Sequence, residues 1–411
     1  MASMLIHGCT LIDCTGRDPQ PRSWVRIEND RIAAIGAGAP PRLNDGVVID
    51  AAGRALMPGL IDAHAHLSLV GDHVKSWHDP APVYALTVAR EIEETLADGF
   101  TTVRDAGGLD WGYKDAIRRG VLRGPRLFVA NGILSQTGGH GDMRSRSQAD
   151  CDAHVPGMWR IGMVVDGPDQ MRWGTREMLR RGADQIKVMA NGGAMSPADK
   201  LSSTQFTVAE LRAAVEEATA QDTYVMAHTY TAASMLNCIE AGVRTLEHGN
   251  FLSAEVAERM ARTGTYLVPT IATYELLSAE GRSLNYPGYQ IDKIDQALRG
   301  AYEALKVAHE CGVRIGSGSD VLGFHQRRKA QEVGFKSRVL SPMEALMAAT
   351  RTNAEIVGLG DEVGTVEVGK QADLLLVDGD PTADPSVLTD RARIHLVMLG
   401  GTIVADRRPP E

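Results

Sequence analysis

Cationic charge is in short supply in this 411-residue chain: 43 Lys and Arg stand against 52 Asp and Glu, a formal net charge of −9. Nucleic acid and anionic membrane both reward clustered Lys and Arg, so neither is expected as a partner. The one basic run, Arg327-Arg328-Lys329, reads as a solvated helix face. Cysteine is sparse. The five (Cys9, Cys14, Cys151, Cys238 and Cys311) are odd in number and form no C-x-x-C pair, which argues against a disulfide framework and for a reducing compartment. No apolar run reaches the roughly 18 residues that a membrane-spanning helix needs. The start, MASMLIHGCTLID, carries no basic and apolar leader, so the expected location is cytoplasmic. An export signal removed ahead of that start would leave the same sequence.

Hydrophobic residues make up 44% and charged residues 23%, the balance of an ordinary globular protein. The length exceeds the roughly 250 residues of an α/β barrel and leaves room for a smaller domain. Both ends read as short strands broken by Gly, Asn and Asp: LIHGCTLID, SWVRIEND and RIAAIGA near the start, GTVEVGKQADLLLVDGDP and IHLVMLGGTIVAD near the end. Residues 1–57 and 361–411 are therefore expected to build one small β-sandwich domain together. Between them, residues 58–360 alternate short apolar runs with helical patterns. The runs are LIDAHAH (60–66), FTTVRDAG (100–107), RLFVANG (126–132), ADQIKVMA (183–190), TYVMAHT (223–229), RTLEHG (244–249), TYLVPT (265–270) and RIGSGSD (314–320). TVAE and SPME open two of the helical stretches as capping boxes, with Glu three positions after the cap. Eight runs separated by helices are what an α/β fold of the (β/α)8 TIM-barrel kind requires. The insertion at 132–168 is expected to be a loop over the barrel mouth.

Polar residues gather where these runs end. His64 and His66 close the first, Lys187 lies in the fourth, and His228, His248 and Asp320 stand near the ends of the fifth, sixth and eighth. In such a barrel all would meet at one mouth. His-x-His on a strand puts two imidazoles on one face, and three more residues of metal-ligating type complete a zinc-like set. Each alone is also a common structural residue; their joint placement at strand ends points to a metal site. Lys187 in the apolar run QIKVMA is costly to bury. It either pairs with a carboxylate such as Asp105 or is converted to an anionic carbamate that bridges two cations.

These motifs resemble the amidohydrolase superfamily over essentially the whole chain: MPGLIDAHAHL, FTTVRDAGG, IKVMANGG, AHTYT, LEHGN, GSD and TNAEIVGL, in that order. The stretch TGGHGD (137–142), and IKVMANGG with Ser196 and Pro197, resemble the prolidase-like and imidazolonepropionase-related group, which includes ochratoxin A hydrolases and carboxypeptidase-type enzymes. The resemblance implies two Zn2+ ions. His64, His66 and Asp320 would hold the more buried one, His228 and His248 the more exposed one, and carboxylated Lys187 would bridge them. Asp320 would act as general base and then acid. It further implies His140 as the donor to the substrate carbonyl and Tyr230 as a contact to the free carboxylate of a C-terminal amino acid. The substrate class so implied is a small-molecule amide or dipeptide, and related barrels commonly form homo-oligomers.

His140 could equally be a surface histidine and Tyr230 a packed aromatic at the rim. His325, Arg327 and Arg328 could supply a cation at the same mouth, whereas His7, His309 and His395 read as structural. A mononuclear deaminase would not need Lys187. A cyclic-amide hydrolase would use similar metals with different loops, and a barrel serving only as scaffold would not keep all six positions filled.

Overall fold

A computed structural model of the chain describes residues 3–72, 76, 79–144, 161–196 and 199–408. Cys151, Pro197 and residues 145–160 of the long insertion lie outside the described residues.

The N-terminal strands are β1 (Ser3–Leu11), β2 (Gln20–Glu28), β3 (Arg31–Ala37), β4 (Val47–Asp50) and β5 (Ala55–Pro58). The central ones are β6 (Leu60–Ala65), β7 (Phe100–Asp105), β8 (Arg126–Val129), β9 (Ile133–Ser135), β10 (Gly162–Val164), β11 (Ile186–Met189), β12 (Val225–Thr229), β13 (Thr245–His248) and β14 (Tyr266–Val268). The C-terminal ones are β15 (Leu374–Val377), β16 (Ile394–Leu399) and β17 (Thr402–Asp406).

Both chain ends join in one sheet, ordered β17-β16-β15-β5-β1-β2-β3 with β4 also on β1. The expected sandwich is thus a single hydrogen-bonded sheet. Its continuity comes from β1, which bulges after His7 and divides its parallel pairing between β4 (Met4–His7) and β5 (Thr10–Leu11). Alternating Ile6, Val25, Ile27, Leu56, Leu374 and Leu376 bury one face in a core of its own.

The central strands are parallel, in sheets β6-β7-β8 and β10-β9-β11-β12-β13-β14. The insertion expected as loop begins and ends as strand, with Ile133 paired to both Gly162 and Lys187. RIGSGSD is not a regular strand. Its backbone alternates partners: Leu267 N donates to Arg314 O and Gly316 N to Leu267 O, then Ala63 N donates to Ser317 O and Asp320 N to His64 O. The segment therefore spans from β14 to β6. A side chain at Gly318 would lie 2.4 Å from His64 Cβ, and Asn353 replaces a ladder partner by bonding Ser317 N (2.9 Å) and Ser317 O (2.7 Å). Asn353 follows a π-helical turn, Ala348–Thr352, which interrupts the helix expected across SPMEALMAATRTNAEIVG. Both capping boxes form, at Thr207 with Glu210 and at Ser341 with Glu344. No helix among the described residues is long and apolar enough to cross a membrane.

The basic run is solvated only in part: Arg327 is exposed and Arg328 half-buried, but Lys329 is not. Lys329 is buried and bonded to Glu91 (3.1 Å), while Arg327 pairs with Glu94 and Arg328 with Glu280. A second buried pair, Lys336 with Glu332 at 2.7 Å, pins the helix Ile271–Glu280, because Glu332 also accepts the Ala272 N–H (2.6 Å). Burial pushes the Glu332 carboxyl up to about 7. Lys336→Met is expected to cost about 3–5 kcal/mol of unfolding free energy, the usual effect of stranding one member of a buried pair. Glu332→Gln in the same chain should recover most of it. Urea unfolding curves check both, and a single-variant loss below about 1 kcal/mol would refute the role.

Candidate metal centre

Six side chains from five segments of the chain face one cavity of roughly 110 Å³: His64, His66, Lys187, His228, His248 and Asp320. The register explains the meeting. Parallel pairing sets Met189 beside His228 and Thr229 beside His248, so successive strands deliver their polar ends at one level. Two of the six sit in left-handed backbone, His248 at φ +70° and Asp320 at φ +49°. That conformation is unfavourable for a residue with a side chain and clusters at functional sites.

His64, His66 and Asp320 offer ligand atoms within 4.8 Å of one another. Nε2 of His66 is 3.5 Å and Nε2 of His64 3.8 Å from Asp320 Oδ1, and Lys187 Nζ lies 3.4 Å from His64 Nε2. The far nitrogens are already engaged. His64 Nδ1 bonds Glu247 (2.7 Å), His66 Nδ1 bonds the Gly107 carbonyl (2.7 Å), and His248 Nδ1 bonds Thr270 Oγ1 (2.8 Å). Each Nε2 is left for the cavity, the outer support that metal-binding imidazoles require. His228 is reversed: its Nε2 meets Gly192 O at 3.2 Å, which leaves Nδ1. Burial holds His64, His228 and His248 well below the usual imidazole range, and so neutral and fit to ligate. This donor set fits divalent metal.

Burial brings the Lys187 amine down to about 8 and raises the Asp320 carboxyl to about 7. The leading carboxylate influences on Lys187 are Glu247 and Asp320. Asp105, the partner considered from the sequence, instead accepts backbone N–H groups from Leu67, Gly107 and Leu109. Glu247 and Arg104 are functional neighbours that the sequence reading missed. Arg104 is fully buried, bonded to Glu247 and to Ala63 O (2.6 Å), and Glu247 in turn orients His64. The available signal was a pair of opposite charges inside two apolar strand runs.

His140 is buried rather than at the surface. It stacks on His228 with centroids 4.5 Å apart, and its Nδ1 bonds Ser196 Oγ at 2.7 Å. Tyr230 lies over His248, its hydroxyl shared with Tyr274 at 2.7 Å. His325 is bonded to Glu280 (2.9 Å), so it and both arginines are held by carboxylates of this chain. A second cavity, of roughly 520 Å³, shares Leu69, Met143, Ile161, Met195 and Leu322 with the first and opens past Tyr286 and Phe324.

The model of the amidohydrolase family matches residues 55–404. Ochratoxinase of Aspergillus niger is 30% identical over 362 residues, covering 85% of this chain and 75% of that protein. A prolidase crystallised with N-methylphosphonate-L-proline superposes with a TM-score of 0.94 at 36% identity, covering 99% of this chain and 100% of the other. A Xaa-Pro dipeptidase with methionine in its active site gives 0.88 at 30% identity, over 98% and 99%. The chain belongs to the amidohydrolase family, usually metal-dependent, and is a hydrolase acting on amide bonds.

Proposed function

We propose that this chain is a binuclear metal hydrolase that releases a C-terminal amino acid from a small amide: an N-acyl amino acid, a Xaa-Pro dipeptide or an ochratoxin A-type amide. The observation that carries the reading is the convergence of four histidines, Lys187 and Asp320 on one cavity with His140 and Tyr230 in its wall. In this reading residues 58–360 close as a (β/α)8 barrel, and residues 1–57 with 361–411 form the β domain. His64, His66 and Asp320 would hold one zinc ion through Nε2, Nε2 and a carboxylate oxygen. His228 and His248 would hold the other, and Lys187, as its carbamate, would touch both.

Two bound divalent ions would supply water acidified toward neutral pH and a polarised scissile carbonyl. The chain's own residues do the rest. Asp320 accepts the proton of the attacking water and returns it to the leaving nitrogen, so the C–N bond breaks as acid and amine form. His140 hydrogen-bonds the carbonyl oxygen as charge develops on it. Tyr230, steadied by Tyr274, meets the free carboxylate of the leaving amino acid. The acyl group lies toward the larger cavity, whose apolar neck favours bulky, uncharged acyl groups.

A panel of N-acyl amino acids, Xaa-Pro dipeptides and ochratoxin A, assayed by amine release with zinc-loaded protein, tests the reading. Turnover confined to carboxylate-bearing amides is the expected result. Turnover of lactams or cyclic imides in their place would overturn it.

A further inference from the structure

The segments that carry His64, His66 and Asp320 are not joined by an ordinary ladder. Regular parallel pairing ties β12 to β13, from Met226 beside Thr245 to Thr229 beside His248. Between β6 and segment 314–320 two backbone bonds run: Ala63 N donates to Ser317 O (2.9 Å) and Asp320 N to His64 O (2.8 Å). Buried side chains supply the remaining links. Asn353 Nδ2 donates to Ile61 O (2.6 Å) and to Ser317 O (2.7 Å), and its Oδ1 accepts the Ser317 N–H (2.9 Å). Asp62 Oδ1 accepts the N–H groups of His64 and Ser319, each at 3.0 Å, and its Oδ2 accepts the Ser319 hydroxyl (2.5 Å). Ile61 and Ser317 each stand three residues ahead of a cavity-facing residue, His64 and Asp320 respectively.

On the binuclear reading proposed above, we infer that Asn353 and Asp62 are positioning residues for the ion that His64, His66 and Asp320 would share. Two ladder bonds leave a pair of segments free to splay. Asn353 removes that freedom: its one acceptor oxygen and both of its N–H donors are engaged across the seam. Gly316 makes the room, since a Cβ there would lie 2.7 Å from Asn353 Oδ1. Asp62 ties β6 to Ser319, the neighbour of Asp320. It thereby helps to impose the left-handed backbone of Asp320, φ +49°, which a residue with a side chain keeps only where its surroundings dictate it. A buried carboxylate is a costly way to join two segments. What it gains over an apolar contact is direction, which three ligands on two segments require. His228 and His248 stand on neighbouring strands of a regular ladder, so the ion they would hold does not depend on this clasp. A role confined to fold stability would show no such asymmetry between the two ions.

The test uses full-length protein. Zinc dissociation constants are read by chelator competition, and stability by the urea midpoint of the metal-free form. Asn353→Ala is expected to weaken one of two zinc ions about tenfold to a hundredfold and to leave the other within about threefold, the usual effect of removing a group that orients metal ligands. Ser319→Ala removes a single hydroxyl and keeps the test open should Asn353→Ala not fold. It should weaken the same ion by about threefold to tenfold, the worth of one hydrogen bond. Leu376→Ala, in the separate core of the terminal sheet, should lower the urea midpoint and leave both zinc constants unchanged. Unchanged zinc constants in Asn353→Ala and Ser319→Ala overturn the positioning role. So does equal weakening of both ions, or a zinc loss in Leu376→Ala as large as that in Asn353→Ala. Failure of the underlying reading looks different: the wild-type protein would then bind a single zinc ion.

Discussion

Lys187→Ala is expected to lose bound metal and about a thousandfold in kcat together. A second metal ion contributes several kcal/mol of transition-state stabilisation, and each 1.36 kcal/mol is about tenfold in rate. Short carboxylates such as acetate should partly restore both, because they supply the two oxygens that a carbamate on Lys187 would place there. The sign of that effect separates the bridge from an ordinary ion pair. Were Lys187 only an ammonium balancing Glu247 and Asp320, its removal would leave an excess of negative charge, and added acetate would bring no activity. The wild-type amine itself is suited to the modification. Carbon dioxide adds only to a neutral amine, and burial brings this one down to about 8. At neutral pH that leaves on the order of a hundredfold more neutral amine than an ordinary lysine provides. Metal uptake by the metal-free protein should therefore accelerate with bicarbonate and as pH rises through about 8. Zinc counted per chain, alongside kcat, checks the whole set. Full activity in Lys187→Ala would end the bridging role.

The strand-end positions of the site were legible because a strand's period of two forces them. His64 and His66 had to share a face, and Lys187, His228 and His248 stood in apolar runs with no local reason to be polar. Asp320 was found for the same reason, although its segment is not a regular strand; glycines at 316 and 318 allow close approach to Ile356 and His64, and Asn353 takes the place of a ladder partner. Nothing in RIGSGSD reveals a partner supplied from 36 residues away. Supporting contacts were illegible on the same ground. Ser196 reaches His140 across 56 positions and Tyr274 reaches Tyr230 across 44, from a loop and a helix without periodic signal toward the cavity. The sheet of the chain ends shows a third limit. Apolar runs broken by turn residues marked the terminal segments as strands, but did not show that one bulged strand, β1, keeps eight strands in a single sheet.

Asp320→Asn is expected to reduce kcat by about 10³- to 10⁴-fold, toward the upper end of what a positioned acid–base group contributes, since it removes a metal-facing charge as well. The same substitution should stabilise the metal-free fold. The carboxyl is raised from 3.8 to about 7, chiefly by burial, so the folded state resists ionisation that the unfolded chain accepts. Below about pH 4 both states are protonated and nothing is lost; as pH climbs to about 7 the unfolded state gains, and the fold weakens. Asparagine does not ionise, so the stability advantage of the variant over wild type should be larger at pH 8 than at pH 5, read from urea midpoints of metal-free protein. Zinc should reverse the order at pH 8, because metal binds the wild-type carboxylate and stabilises only the folded state. The residue that weakens the metal-free site is then the one the loaded site depends on, and its left-handed backbone at φ +49° fits the same trade of stability for function. A variant that kept its rate would remove Asp320 from the proton-transfer role, and a stability difference flat with pH would show that burial does not raise its carboxyl in the metal-free fold.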